Sequence, residues 1–340
     1  MARMTETLGG AKDRTDLYGL ICGFAMLPDQ QIQPLSGDDV GAALAEPATF
    51  VWLHLNARIS HARDWITRCE LLPETSRRFL LENDDRKRLE RTGDHLVGVI
   101  SDIRYDFGLD FDPAQISTLR FHLDRRCMIS TRVQPSSAAD QLRTQINQGR
   151  YFDSTAKLMI HLFESQIAKL SETTTKVSRM LDEIEDQALA GRMRGQHTQL
   201  GGIRRLAVRL YHHFAPENRM LQRLCRRLPD WFSASDHADL QDVAEQFREM
   251  IDDLTETQER AKLLQEELAA RLAEETNNNL YIVSLFTALL LPPSLIAGIF
   301  GMNVAGLPGL EDPMSFWWVM AGMLGVSLLV LLILYMRRLF

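Results

Sequence analysis

Two apolar runs near the C-terminus constrain this chain more than any other feature. Leu280–Phe300 and Phe316–Met336 contain no charged residue, and each is about the twenty residues an α-helix needs to cross a hydrocarbon core of about 30 Å. The connector, residues 301–315, carries no Lys or Arg and turns acidic at Glu311 and Asp312, while Arg337 and Arg338 follow the second run. Basic residues beside membrane spans stay on the cytoplasmic side. The pattern predicts a membrane hairpin with both termini in the cytoplasm and the connector outside.

Composition hides this feature, because 24 % of the 340 residues are charged, as in an ordinary soluble protein. The apolar content is concentrated at one end. Around Arg3, Glu6, Lys12, Asp13 and Arg14 the N-terminal segment has no apolar run of signal-peptide length, so the residues before the first span are expected to stay in the cytoplasm. The four cysteines (Cys22, Cys69, Cys127, Cys225) are far apart and form no CxxC pair. That argues against a disulfide framework and against a thiolate zinc site.

Three units are expected in chain order: residues 1–135, 136–279 and 280–340. In the first, Tyr18–Leu27, Thr49–Asn56, His95–Tyr105, Gln115–Leu123 and Cys127–Val133 read as strands. Helical spacing between them places Ile59, Trp65 and Ile66 on one face, and Pro73 opens a helix with Phe79, Leu80 and Leu81 on its buried side. The result is a mixed α/β domain. Beyond Pro135 the spacing turns helical. One helix is expected over Tyr151–Ala190, a second over Thr198–Leu228, and a third from about Ser233 or Ser235 running unbroken into the first span. Such a helix, about 68 residues at 1.5 Å each, is on the order of 100 Å long and needs neighbours to support it.

Nine arginines and one acid, Glu217, lie between Arg192 and Arg227, whereas thirteen acids and four bases lie between Ser233 and Asn279. Two readings stay open. The helices pack as a charge-complementary pair, or the acidic helix borders a cation path, where negative potential concentrates cations. A net charge of −7 and the acidic neighbour argue against nucleic acid as a partner of the arginines.

Stepping by three and four residues along the first span gives Asn277, Leu280, Ser284, Thr287, Leu291, Ser294 and Gly298. Every strongly polar side chain of the span falls on this stripe. Polar groups at membrane depth face protein or water, so the stripe is either a helix–helix contact made by Ser and Thr or the wall of a wet path. Two helices cannot enclose such a path, so several copies of the chain would surround it. Asn277, Thr287 and Asn303 would then form rings of amide or hydroxyl oxygens, Leu280 and Leu291 apolar constrictions, and Ser284 and Ser294 would line the path with them. The second span is apolar all round, with Trp317 and Trp318 near one interface and Tyr335 near the other, which suits a lipid-facing helix.

Gly301-Met302-Asn303, placed after PPSLIAGIF and before a second C-terminal span, resembles the GMN signature of the CorA superfamily of divalent-cation transporters. Residues 86–96 (RKRLERTGDHL) resemble that family's approach to a strand, and the resemblance covers the whole chain. It implies a CorA-like fold: a cytoplasmic α/β domain, a long-helix stalk or funnel, and two C-terminal transmembrane helices. It further implies a homopentamer in the bacterial inner membrane. Five copies of the first span would line the pore, and Gly301, Met302 and Asn303 would meet a hydrated cation at the outer mouth, with Glu311 and Asp312 as an acidic ring. Val304-Ala305-Gly306-Leu307-Pro308-Gly309 resembles the zinc-transporting ZntB branch.

Pore chemistry does not by itself select zinc. Tight protein sites for Zn²⁺ use His and Cys, and residues 276–340 contain neither. Hydroxyls, amides and carbonyls suit an ion that keeps much of its water, as Mg²⁺ does. The cargo is therefore a divalent cation. Branch resemblance favours Zn²⁺, with Mg²⁺, Co²⁺, Ni²⁺ and Cd²⁺ as alternatives, and no resident cofactor is expected. No residue is assigned as a metal ligand, and the nine histidines read as scattered surface or packed residues. No phosphate loop, GxSxG or HExxH motif appears, so no catalytic residue is expected and transport is driven by gradients or potential. The span has no acid to carry protons. A membrane-anchored scaffold without transport is the third reading, in which the polar stripe faces partner helices.

Overall fold

The computed structural model describes residues 19–36, 39–46, 49–82, 84–103, 116–190, 196–302 and 314–336. The chain divides into two compact units, Met1–Gln265 and Glu266–Phe340.

In the first unit the strands β1 (Leu20–Met26), β2 (Ile32–Pro34), β3 (Phe50–Asn56), β4 (Arg88–Thr92), β5 (His95–Ile103), β6 (Ile116–Leu123) and β7 (Cys127–Arg132) form one sheet in the order β2-β1-β3-β7-β6-β5-β4. Only β3 and β7 run parallel, with Val51 opposite Cys127 and Leu55 opposite Thr131. That pairing needs a long crossover. The chain makes it through α2 (Ser60–Arg68), α3 (Glu74–Leu81) and the antiparallel strands β4, β5 and β6.

The five strands legible as apolar runs are the five inner strands, β1, β3, β7, β6 and β5. β2 and β4 add the two edges, and neither carries the buried alternation that marks a strand: β2 is three residues long, and β4 (RLERT) is partly or fully exposed throughout. Charged and short edges resist further pairing. Gly93, at φ +62°, turns β4 into β5, a conformation glycine adopts without steric cost. Gly98 on β5 lies opposite Phe121 on β6, where a Cβ would come within 2.4 Å of the ring.

The sheet is covered on both sides. On β3, Val51, Leu53 and Leu55 join Leu20, Ala25, Ile129, Ala62, Ile66 and Leu80 in one core with α1 (Val40–Ala45), α2 and α3. Pro73 stands at the N-cap of α3. The alternate residues Trp52 and His54 are equally buried on the opposite face. There Trp52 Nε1 donates to Ser130 Oγ at 3.0 Å, and His54 Nδ1 lies 2.8 Å from the same hydroxyl. That face carries α4 (Ser137–Asn147), capped by Ser136, and the start of α5 (Thr155–Leu189), capped by Ser154. Both hydroxyls accept a backbone N–H that the helix cannot satisfy itself.

Helices α6 (Gln196–Cys225) and α7 (Ala234–Phe300) complete the unit up to Gln265. Leu240, Val243, Phe247, Ile251, Leu254, Ala261 and Leu264 are buried along α7, at steps of three, four and seven that keep one helix stripe against its neighbours. Its ion pairs to another helix run to α5, from Arg260 to Asp182 at 2.8 Å and to Glu185 at 3.1 Å. α6 meets α7 through the Phe214–Phe247 ring contact and a hydrogen bond from Arg204 to Gln265.

The second unit contains α7 from Glu266 onward and α8 (Ser315–Met336). Both helices are long and apolar enough to cross a membrane, and neither apolar stretch is buried within the chain.

Candidate functional site

The polar stripe lies on about the last seven turns of α7. At 100° per residue, Asn277, Leu280, Ser284, Thr287, Leu291, Ser294 and Gly298 fall within an arc of roughly 100°. Asn277, Ser284, Thr287 and Ser294 are exposed, and the two leucines interleaved with them are 61 % and 59 % exposed. One helix thus presents alternating levels of oxygen and hydrocarbon on a face that none of the described residues covers.

The hydroxyls are oriented. Thr287 Oγ1 donates to the Val283 carbonyl at 2.8 Å, and Ser294 Oγ donates to the Leu290 carbonyl at 2.7 Å. Each proton is therefore used inside the helix, and the oxygen lone pairs point away from it. An outward lone pair is an acceptor for a cation or for the hydrogens of its hydration shell. Pro292 and Pro293 continue the helix without an N–H, so the carbonyls of Ala288 and Leu289 lose their helical donors. Freed carbonyls at membrane depth are tolerated where protein or water satisfies them.

At the end of the span the Gly301 amide still bonds the Ala297 carbonyl at 2.8 Å, and Met302 N reaches the Ile299 carbonyl at 3.3 Å. The stripe therefore hands over to Gly301 and Met302 at the helix terminus. Asn303, Glu311 and Asp312, expected at the outer mouth, lie outside the described residues, as do Arg337 and Arg338.

The first unit holds ionisable groups whose partners the sequence does not announce. Glu217, the single acid among the arginines of α6, is 1 % exposed. It accepts from the Ser101 amide of β5, and from Gln166 Nε2 of α5 at 2.8 Å. Burial pushes its carboxyl up to about 7, with Lys87 and the hydrogen bonds pulling it partly back. Asp102, next along β5, accepts from Ser136 Oγ at 2.6 Å and the Ala138 amide at 3.0 Å, and burial raises it to about 6. These acids join β5 to α4, α5 and α6. Only a fold that sets those elements together could reveal them.

An α/β unit followed by a long helix with an apolar, oxygen-striped end and a second exposed apolar helix is the architecture of a two-span membrane protein. The comparisons with known proteins say which kind. Residues 47–338 match the family model described as CorA-like Mg2+ transporter protein, and the chain belongs to that family. It is 25% identical over 268 residues to the zinc transport protein ZntB of Pectobacterium carotovorum subsp. carotovorum, covering 78% of this chain and 80% of that protein. It is 25% identical over 309 residues to the divalent cation transporter CmaX of Pseudomonas aeruginosa, covering 90% of this chain and 92% of that protein. Among solved structures, full-length CmaX superposes with a TM-score of 0.81 at 24% identity, over 95% of this chain and 99% of that one. The CorA magnesium transporter from Methanocaldococcus jannaschii superposes with a TM-score of 0.73 at 18% identity, over 92% and 97%. The chain is thus a divalent-cation transporter and not an enzyme, and the CorA-like fold expected from the GMN context is the one observed.

Proposed function

We propose that this protein carries Zn²⁺ across the bacterial inner membrane along an axial path formed by five copies of α7, with N- and C-termini in the cytoplasm. The single observation that carries the path is the exposed stripe itself. Every strongly polar side chain of the span lies on one face, and the hydroxyl lone pairs of Thr287 and Ser294 are turned outward. In lipid such a face is costly, and around a shared axis it is solvated. Leu280 and Leu291 form apolar rings that gate by dewetting. Gly301, Met302 and Asn303 take the hydrated ion at the outer mouth, and Glu311 and Asp312 raise cation concentration there. Zinc is supported by the similarity to ZntB proteins.

A second reading, a Mg²⁺ or Co²⁺ channel of the same architecture, is favoured by the oxygen-only donors of the stripe, which suit a cation that retains water. Dye-reported flux in liposomes separates the two. Zn²⁺ entry at a rate well above Mg²⁺ entry supports the first, and the reverse order replaces it with the second. In either case Asn303→Ala is expected to abolish uptake while the oligomer stays intact. Unchanged uptake in that variant removes the outer-mouth assignment. Repeating the assay with and without a pH gradient tests proton coupling.

A further inference from the structure

The turn between β6 and β7 brings together three side chains that no sequence motif connects. His122 is the next-to-last residue of β6, Asp124 sits in the turn and Cys127 opens β7, and their candidate ligand atoms all lie within 4.8 Å of one another. His122 Nε2 is 3.2 Å from Asp124 Oδ2, and Cys127 Sγ is 3.2 Å from the same oxygen. In a tetrahedral zinc site, bonds of about 2.0–2.3 Å separate neighbouring ligand atoms by roughly 3.3–3.7 Å. The two measured edges need only a few tenths of an ångström of opening to admit an ion.

The ligands are held in place by groups outside the triad. Asp124 Oδ1 accepts the amides of Arg126 at 2.7 Å and Cys127 at 2.8 Å, which aims Oδ2 at the histidine and the thiol. Thr155 Oγ1 donates to the Asp124 carbonyl at 2.5 Å and ties the turn to the first residue of α5. His122 Nδ1 lies 3.0 Å from Ser76 Oγ, and both residues are fully buried. The Nε2 contact with the Asp124 carboxylate is made by an Nε2–H, so a bound ion requires the other tautomer, in which Ser76 Oγ accepts from Nδ1–H and Nε2 ligates, the usual support of a metal-binding histidine. The His95 ring lies against His122 at 5.1 Å, and its Nε2 has no hydrogen-bond partner among the described residues. The Asp124 side chain is 31% exposed while that of His122 is fully covered, so an ion enters from the carboxylate side and water takes the fourth position.

We infer that His122, Asp124 and Cys127 form a cytoplasmic binding site for a Zn²⁺-class cation, separate from the ion path and selective against Mg²⁺. One nitrogen, one oxygen and one sulfur suit a borderline ion such as Zn²⁺ or Co²⁺, whereas Mg²⁺ demands oxygen. The Cys127 thiol donates to Asp124, and a bound cation takes the place of that proton, which leaves to solvent. The site does not depend on which ion the pore carries.

Full-length protein in detergent, titrated with Co²⁺, tests it. One thiolate-to-cobalt charge-transfer band per chain is expected. It should persist in excess Mg²⁺, fall at equal free Co²⁺ by at least tenfold in His122→Ala, and vanish in Cys127→Ser. Ser76→Ala is expected to keep the band and weaken binding about 10–100-fold. No band in the wild type, or a band of full strength in Cys127→Ser, overturns the inference. Because Cys127 is buried and its variant could misfold, zinc X-ray absorption on the wild type supplies a second reading. A shell with one sulfur supports the site, and a shell of oxygen and nitrogen alone overturns it.

Discussion

Glu217 shows most directly how a residue's meaning changes between sequence and structure. In the sequence it is one acid among nine arginines; in the fold it faces the Ser101 amide, away from the helix surface that charge counting describes. Its carboxyl titrates near 4.5 in an unfolded chain and near 7 in the fold. Between those values the folded state holds a proton that the unfolded state has lost. Its contribution is therefore complete below about pH 4.5 and disappears as pH rises through 7. At 1.36 kcal/mol per pH unit the difference is about 3 kcal/mol. Glu217→Gln should remove this dependence, so thermal melts of variant and wild type in detergent should shift by about 2–3 kcal/mol in the variant's favour between pH 5 and pH 8. A constant gap between them contradicts a buried acid at this position. His54 acts in the opposite sense in both proteins: burial lowers its pKa, so its contribution weakens with acid, and comparing variant with wild type cancels it.

At the scale of the element, α7 was readable because a helix writes its faces into local spacing. Apolar residues at steps of three and four mark its buried stripe from Leu240 to Leu264, and the same steps mark the polar stripe from Asn277 to Ser294. The edge strands β2 and β4 and the helices α1 and α4 escaped notice. They are short, and what identifies them is a neighbour distant in sequence: β4 pairs with β5 through a turn that needs Gly93. The stripe makes its own prediction. Thr287→Val keeps the shape of the side chain and deletes the outward oxygen, so flux in liposomes should fall about tenfold, equivalent to about 1.4 kcal/mol on the barrier. Leu291→Ala opens an apolar ring and should raise basal flux in the same assay. If neither variant changes flux, the stripe is a packing surface and not the path.

For the whole molecule the governing fact is that neither apolar helix stretch is buried within its own chain. Trp318 is 72 % exposed and Leu280 61 %, an amount of apolar surface that water does not tolerate on a monomer. Lipid can cover α8, which is apolar all round, but it cannot satisfy Ser284, Thr287 and Ser294. On the proposed axial path, copies of the chain meet along that face. Native mass spectrometry from mild detergent should give a pentamer; a stable monomer that still passes ions would remove the shared axis.

Sequence alone determined the two spans, the stripe and the membership of a cation-transporting family. A transmembrane helix satisfies its backbone within its own residues, and a helix face repeats every few positions, so both are local properties. Tertiary structure decided which side chains far apart in the chain become neighbours. It covered both faces of the sheet, set Glu217 against Ser101 and Gln166, and placed Ser76 of α3 against the His122 ring. Strand register and layer packing make those contacts, and neither is written in the spacing of any single segment.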